Sequence, residues 1–207
     1  KVLFACDGYY YNGKVIDCLG KVAEIAARMP SLERVVIVPY AGSGADIAAV
    51  KHGVSLADFL APFAGEREIR FERLPFDHPL YILYSSGTTG VPKCIVHSAG
   101  GTLLQHLKEQ RLHSDIKTGD RLFYFTTCGW MMWNWLVSGL ACGATLLLYD
   151  GSPFAAKGTV LFDYAAAEKM THFGTSAKFI DAAAKLGLPP GKTHDLAALR
   201  AMFSTGS

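Results

Sequence analysis

Short apolar runs alternate with amphipathic helical patterns over most of the chain. Val2–Cys6 is a short apolar run, residues 14–28 place apolar side chains at helical spacing, and residues 35–38 form a β-branched run that ends at Pro39. This order predicts a strand, a helix and a second strand. Because parallel strands need a crossover connection, residues 1–40 predict a βαβ unit with helices packed on a parallel sheet.

The rest of the chain continues the alternation without internal repeats or low-complexity tracts. Residues 54–60 predict a short helix or loop. Residues 80–84 and 94–97 predict strands on either side of a glycine-rich loop, and Ser98 can cap a helix that runs to about residue 112. Further strands are predicted at 122–125, 145–149, 171–174 and 199–203, and further helices at 132–140, 161–170 and 177–186. The pattern is typical of an α/β protein.

One stretch imitates a membrane span. No charged residue lies between Arg121 and Asp150, and that length exceeds the ~20 apolar residues that a spanning helix needs. However, residues 126–129 are a poor helix interior, and Asn134 and Gly143 interrupt the apolar surface. We therefore expect buried strands and a core helix here, and no membrane partner.

Charge and cysteine usage narrow the class of protein. The 20 basic and 18 acidic residues give a net charge of +2 without a basic run, which disfavours a nucleic-acid partner. The five cysteines form no closely spaced pair. This usage predicts reduced thiols in a cytoplasmic protein and argues against a structural zinc site. The sequence does not indicate an oligomeric state.

Both ends of the chain lie in apolar surroundings. Lys1 leads directly into an apolar run, and Ser207 follows an apolar run that enters a turn. Because domains usually end in surface segments, we expect the chain to be an internal fragment of a longer protein.

The densest chemical signal is the segment 84–93. Its glycines let backbone N–H groups approach a phosphate closely, and its hydroxyl groups donate hydrogen bonds to phosphoryl oxygens. Lys93 adds a mobile positive charge. The segment therefore predicts a site for the triphosphate of a nucleotide. The candidate phosphate-binding residues are Ser85, Ser86, Gly87, Thr88, Thr89, Gly90 and Lys93.

This loop differs from the Walker A motif of P-loop proteins. Gly87 and Gly90 are too close together, Pro92 precedes the lysine, and the apolar run 94–96 replaces the expected helix. A P-loop kinase or GTPase is therefore disfavoured. The remaining alternative is a hairpin rich in hydroxyl groups and glycine that binds no ligand.

The loop resembles the phosphate-binding signature of the adenylate-forming superfamily, which contains acyl-CoA synthetases, luciferase-type ligases and peptide-synthetase adenylation domains. The family form is [ST]-[SG]-G-[ST]-T-G-x-P-K-G. This sequence matches it from Ser85 to Lys93 and departs at Cys94, where glycine is usual. The run 94–98, followed by Gly100 and Gly101, resembles the variant found in the subfamily that activates acetoacetate.

A second block, residues 129–145, resembles the acyl-pocket region of short-chain acyl-CoA synthetases. In that family an aromatic residue after a glycine caps a small pocket, and Trp130 occupies this position. Its bulk would restrict the pocket to a short acyl group. The alternative is that the tryptophans are core side chains, which we expect for Trp133 and Trp135 and leave open for Trp130.

Weaker likenesses lie at the two ends of the chain. Gly206 and Ser207 align with the turn that lies against the adenine in the family. Lys14 lies in a segment where related synthetases place basic residues near the phosphates of coenzyme A, although a solvated lysine explains it equally well. Among the histidines only His97, at the end of the return strand, is a candidate for a role at the loop.

The resemblance implies a fold and a reaction. The fold is the large N-terminal domain of the adenylate-forming enzymes, with mixed sheets flanked by helices, an approximate βαβ region at 1–76 and a phosphate-loop and acyl-pocket region at 77–207. A carboxylate attacks the α-phosphate of ATP to give an acyl-adenylate and pyrophosphate, and the thiol of coenzyme A then displaces AMP. Mg²⁺ neutralises the phosphates, and the implied catalytic residues are Lys93 and Thr88.

The most closely implied substrate is acetoacetate. Acetate or propionate as the substrate, and a nucleotide-binding module without catalysis, remain alternatives. The family's metal-associated glutamate, its ribose-binding aspartate and its mobile C-terminal domain with the catalytic lysine are expected beyond Ser207. We therefore predict no metal ligands within the chain and no ligase turnover by the chain alone.

Overall fold

The fold is taken from a computed structural model that describes residues 1–42, 46–85 and 90–205. By its internal contacts the chain divides into two units, Lys1–Phe71 and Glu72–Ser207. Each unit contains a parallel sheet and a buried apolar core. With an antiparallel hairpin added to each, the chain has the predicted mixed α/β fold.

The first unit is a three-stranded parallel sheet with a covering helix and a hairpin. Its elements are β1 (Val2–Cys6), β2 (Gly8–Tyr11), β3 (Lys14–Asp17), α1 (Leu19–Arg28), β4 (Arg34–Val38), β5 (Gly53–Ser55) and α2 (Leu56–Leu60). The sheet has the order β1-β4-β5, and both pairs are parallel. Val22 and Ala26 of α1 are buried in one cluster with Val35 and Ile37 of β4. The predicted βαβ unit is confirmed.

The helix predicted over 14–28 was wrong in its first turn, because β3 occupies that position and α1 begins only at Leu19. Asn12 and Gly13 have φ angles of 49° and 74°, the left-handed conformation that a two-residue hairpin turn requires. β2 and β3 pair antiparallel around this turn, with Tyr11 opposite Lys14. The Asn12-Gly13 dipeptide was the sequence signal for this hairpin.

The second unit contains a four-stranded parallel sheet and a separate two-stranded hairpin. Its elements are β6 (Pro79–Ser85), β7 (Lys93–Ser98), α3 (Ala99–Lys108), β8 (Arg121–Tyr124), α4 (Met131–Ser138), β9 (Thr145–Leu147), α5 (Val160–Ala167), β10 (His172–Ser176), α6 (Ala177–Lys185), α7 (Pro190–Thr193) and β11 (Ala201–Thr205). The sheet order is β11-β10-β8-β9, and all three pairs are parallel. β6 and β7 pair antiparallel.

The four-stranded sheet is buried on both faces. Successive side chains of a strand point to opposite faces, so Phe123 belongs to one apolar cluster and Leu122 and Tyr124 belong to another. Phe123 packs with Phe173 and the helices α5 and α6, whereas Tyr124 packs with Trp135 of α4. Burial on both faces explains why the strands read as continuous apolar runs in the sequence.

The strands and helices predicted for residues 80–203 are confirmed, with ends that shift by a few residues. α3 ends at Lys108, and a wider π-type turn, Glu109–His113, continues it. Ser98 occupies the N-cap position, but its side chain makes no capping hydrogen bond. The short helix α7 was not predicted.

The uncharged stretch 121–150 is confirmed as core. Its helix α4 has 8 residues and comes between β8 and β9 in the chain, two neighbouring strands of the parallel sheet. Within the described part of the chain, no helix is both long enough and apolar enough to cross a membrane.

Gly174 of β10 lies directly against the ring of Tyr124, and a Cβ atom at this position would overlap that ring. We expect Gly174→Ala to lower the free energy of unfolding by about 1–3 kcal/mol, since the packed ring has no room to retreat. Gly191→Ala is the matched control, because no atom lies within 4 Å of the added methyl group. Denaturant unfolding of both variants tests this, and equal stabilities would contradict the packing.

Candidate active site

The hairpin β6–β7 brings the two ends of the phosphate-loop motif together. Ser85 and Lys93 are cross-strand partners at the loop end of the hairpin, so their Cβ atoms lie about 5 Å apart. The Lys93 side chain is exposed and Ser85 is half-buried. The structure therefore brings the Ser85 hydroxyl group and the Lys93 ammonium group, both predicted to bind phosphate, to the base of the loop.

Gly90 is also described, and its φ angle of 116° lies in a region that residues with a Cβ atom rarely adopt. The motif therefore requires glycine at this position for backbone reasons alone. Four other predicted phosphate-binding residues, Ser86, Gly87, Thr88 and Thr89, lie outside the described residues, as do Gly206 and Ser207. Their predicted roles stay predictions.

A cavity of about 300 Å³ lies where three parallel strands end. Tyr124 ends β8, Ser176 ends β10 and Thr205 ends β11, and all three line it. Its other hydroxyl-bearing residues are Thr126, Thr127 and Thr175, and its apolar residues are Phe125, Trp130 and Met132. Ligands of open α/β sheets bind beyond the carboxyl ends of the strands, so this cavity is the candidate substrate site.

Trp130 is placed differently from the other two tryptophans of its block. It lies at the N-cap position of α4, and its side chain is 68% exposed at the cavity. Trp135, one turn further along, is 6% exposed and makes edge contacts with Tyr124 and Phe203, while Trp133 is half-buried against the same cluster. The core positions predicted for Trp133 and Trp135 are confirmed, and Trp130 is available to a ligand.

Tyr124 and Thr205 were missed in the sequence. The Tyr124 hydroxyl oxygen lies 2.9 Å from the Thr205 Oγ1 atom and 3.3 Å from the carbonyl oxygen of Thr175. Tyr124 is almost fully buried, and it lines the cavity. The signal was available, because each residue is at or near the end of a predicted strand and parallel strands end at one edge of a sheet.

A second cavity, of about 360 Å³, lies beside α3 and is lined by His97 and His106. The Ser138 hydroxyl donates to the Asn134 carbonyl oxygen at 3.1 Å, so the Nδ1 atom of His106 donates to Ser138 at 2.8 Å. Burial lowers the pKa of His106, opposed by the nearby Glu109 carboxylate. His97 packs against the ring of Tyr81. Burial therefore disfavours the charged form of His106, and its hydrogen bond to Ser138 links α3 to α4.

A third cavity, of about 240 Å³, lies among α5, α6 and the sheet and is lined by apolar side chains such as Phe162 and Ile180. It offers no cation or hydrogen-bond donor on a side chain for a carboxylate or a phosphate. It therefore belongs to the packing of the second unit and is not a candidate substrate site.

Lys14 lies in the first unit, at the start of β3, and is exposed. Its place on a hairpin corrects the expectation that it begins a helix. Within residues 1–42, 46–85 and 90–205, no group of three or more histidine, cysteine, aspartate or glutamate side chains could hold a metal ion.

Comparison with known proteins places the chain in a family. Residues 9–207 match the model of the family described as AMP-binding enzyme, so the chain belongs to that family. Over its whole length it is 65% identical to the acetoacetyl-coenzyme A synthetase of Rhizobium meliloti (strain 1021) and 47% identical to the acetoacetyl-CoA synthetase of Gallus gallus. It covers 32% of each of these relatives.

A solved structure agrees with this result. The acetoacetyl-CoA synthetase from Streptomyces lividans matches all of the chain with a TM-score of 0.88 and 45% sequence identity, and the match covers 31% of that structure. The chain thus spans about a third of the length of the relatives it matches. The resemblance to the adenylate-forming superfamily, and to its acetoacetate-activating subfamily, is confirmed.

Proposed function

We propose that this chain is part of the N-terminal domain of a longer ATP-dependent acid–thiol ligase that converts acetoacetate, ATP and coenzyme A to acetoacetyl-CoA, AMP and pyrophosphate. The observation that carries the proposal is the hydroxyl-lined cavity with Trp130 at its mouth, in the unit that also holds the Ser85–Lys93 hairpin. The identity of 65% to an acetoacetyl-coenzyme A synthetase supports the choice of acid.

The proposed chemistry begins with the triphosphate of ATP at the loop that the hairpin carries. Ser85, Gly90 and the four loop residues between Ser85 and Gly90 donate hydrogen bonds to phosphoryl oxygens. Lys93 places its charge beside the pyrophosphate that leaves when the carboxylate attacks the α-phosphate. Catalysis of this kind is electrostatic and orientational, because the fixed donors and the cation stabilise charge that grows in the transition state.

The acid is proposed to enter the cavity at the carboxyl ends of β8, β10 and β11, with its carboxylate towards the nucleotide. The Trp130 indole closes off volume and limits the length of the acyl chain. Gly206 and Ser207 contact the adenine in this proposal, and Lys14 is a candidate contact for the phosphates of coenzyme A. Mg²⁺ enters as the ion bound to ATP, since the described residues offer no cluster of metal ligands.

The chain spans about a third of the length of its relatives. In the proposed function the mobile C-terminal domain belongs to the part of the longer protein outside this chain, so we expect the chain alone to lack ligase turnover. None of the five cysteines forms a disulfide, which is compatible with a reducing compartment. We propose the cytoplasm as its compartment.

The test is ATP–pyrophosphate exchange by the full-length protein with acetoacetate, acetate, propionate and butyrate compared side by side. Strong exchange with acetoacetate alone is expected. Exchange that is stronger with acetate or propionate would retain the ligase class and contradict the substrate. The absence of exchange with all four acids, combined with measurable ATP binding, would favour a nucleotide-binding module.

A further inference from the structure

Several hydroxyl groups line the cavity of the proposed acyl site, and three of them have already given their protons to the protein. The Tyr124 hydroxyl donates to the Thr175 carbonyl oxygen at 3.3 Å, so the Thr205 hydroxyl donates to the Tyr124 oxygen at 2.9 Å. The Thr126 hydroxyl donates to the carbonyl oxygen of Thr127 at 3.2 Å. These three groups can therefore accept a hydrogen bond from a ligand, but they have no free proton to donate.

Ser176 differs from these groups, because its bonding fixes the hydroxyl oxygen and leaves the proton available. Ser176 ends β10 and is the N-cap residue of α6, where its Oγ atom accepts a hydrogen bond from the Phe179 backbone N–H at 3.2 Å. Within the part of the chain that the structure describes, its own proton has no protein acceptor. Ser176 is half-buried and lines the cavity, so a ligand there can receive this proton in a hydrogen bond.

The alternation of side chains along β10 places the Ser176 hydroxyl beside the polar pair. Gly174 lies against the ring of Tyr124, and Ser176 follows two residues later on the same strand, so it lies on the same face of the sheet. Ser176 is also the cross-strand partner of Thr205 on β11. The donor is therefore on the face of the sheet that carries Tyr124 and Thr205 at the cavity.

We propose that the Ser176 hydroxyl donates a hydrogen bond to the ketone oxygen on C3 of a short 3-oxo acid. This inference rests on the proposed function and specifies how that function selects its substrate. Acetoacetate has an oxygen on C3 where butyrate has two hydrogens. A pocket of apolar side chains alone would separate the two acids poorly, whereas a fixed donor discriminates through a hydrogen bond that only acetoacetate can accept.

Thr175 is the alternative donor in the same cavity. It lines the cavity, and its buried Oγ1 atom has no hydrogen-bond partner among the described residues. However, Thr175 lies between Gly174 and Ser176 on β10, so alternation places its side chain on the opposite face, the face on which Phe173 belongs to the other apolar cluster. Ser176 is therefore the better placed donor, and the experiment includes Thr175 as the competing assignment.

The test compares kcat/KM for acetoacetate and butyrate in the full-length protein carrying Ser176→Ala. We expect kcat/KM for acetoacetate to fall about tenfold to a hundredfold and that for butyrate to change less than about threefold, because only the ketone oxygen loses its donor. Ser176→Gly removes the same hydroxyl at a smaller cost to the cap, so it gives the same result if the alanine variant does not fold. Ser176→Thr keeps a capping hydroxyl group and should keep the preference for acetoacetate. Thr175→Val removes the alternative hydroxyl and should leave the preference unchanged.

Ser55→Ala is the control for the loss of a helix cap. Ser55 is the N-cap residue of α2 in the first unit and accepts a hydrogen bond from the Asp58 backbone N–H at 3.0 Å. Both Ser55→Ala and Ser176→Ala should lower the thermal midpoint, but only Ser176→Ala should change the preference between the acids.

The outcomes separate the inference from the proposed function. Equal losses for both acids in Ser176→Ala, or an unchanged preference in that variant, would overturn the inference and leave the proposed function intact. A preference lost in Thr175→Val and kept in Ser176→Ala would also overturn it, because the donor would then be Thr175. A wild-type protein that activates neither acid would overturn the proposed function, and the inference with it.

Discussion

Lys93→Ala in the full-length protein is expected to lower the rate of adenylate formation about a hundredfold or more, with a smaller loss of ATP affinity. The structure places Lys93 exposed at the start of β7, opposite Ser85. In the proposed function its ammonium group meets charge that develops on the leaving pyrophosphate. Removal of one such electrostatic contact in a pre-organised site typically costs two to three orders of magnitude in kcat. Single-turnover formation of the adenylate, measured beside ATP binding, separates the two effects.

Lys185→Ala is the matched control for this variant. Lys185 is an exposed lysine of the same unit that pairs with Asp181 on α6, and its loss should leave adenylation unchanged. If Lys93→Ala weakened ATP binding without slowing adenylation at saturating ATP, the lysine would act in binding alone. That result would contradict the proposed catalytic role of Lys93 and leave the ligase class intact.

Trp130→Ala is expected to shift the preferred acid towards longer chains. Loss of the indole opens the mouth of the cavity, so kcat/KM for hexanoate relative to acetoacetate should rise by about tenfold to a hundredfold. Stability should change little, because the side chain is 68% exposed and contributes little to the core. Initial rates with a series of acids from acetate to octanoate measure the shift, and thermal unfolding measures the stability.

Trp135→Ala is the contrasting variant on the same helix. Trp135 is 6% exposed and packs between Tyr124 and Phe203, so its truncation should cost about 3–5 kcal/mol of unfolding free energy. An unchanged acid preference in Trp130→Ala would remove the indole from the acyl site. Large destabilisation by Trp130→Ala would instead indicate that Trp130 is a core residue, the alternative that its sequence context allows.

The parts of the fold that the sequence predicts well are those in which burial dictates the local pattern. β4 and β8 are buried on both faces, so they read as apolar runs. The helices α1 and α6 present one apolar face each, and their spacing is visible in the sequence. The loop motif is recognised for a different reason, since its glycines and hydroxyl groups are adjacent in the chain and match a family signature.

The features that the sequence did not predict depend on turn geometry or on distant contacts. β3 was not predicted because residues 14–17 show no alternation of apolar and polar side chains, so the left-handed Asn12-Gly13 turn is the signal for the hairpin. The Tyr124–Thr205 pair joins residues far apart in the sequence and requires the strand order β11-β10-β8, which no local pattern specifies. The residues of the loop can therefore be predicted from the sequence, whereas most residues that line the candidate substrate cavity cannot.

In the proposed function the protein activates its acid as an adenylate. This step can be followed with acetoacetate labelled with oxygen-18 in its carboxylate through one round of reaction with ATP and coenzyme A. One labelled oxygen is expected in AMP and none in pyrophosphate, because the carboxylate oxygen that attacks the α-phosphate leaves with AMP. Release of ADP and labelled inorganic phosphate, or of unlabelled AMP, would contradict it.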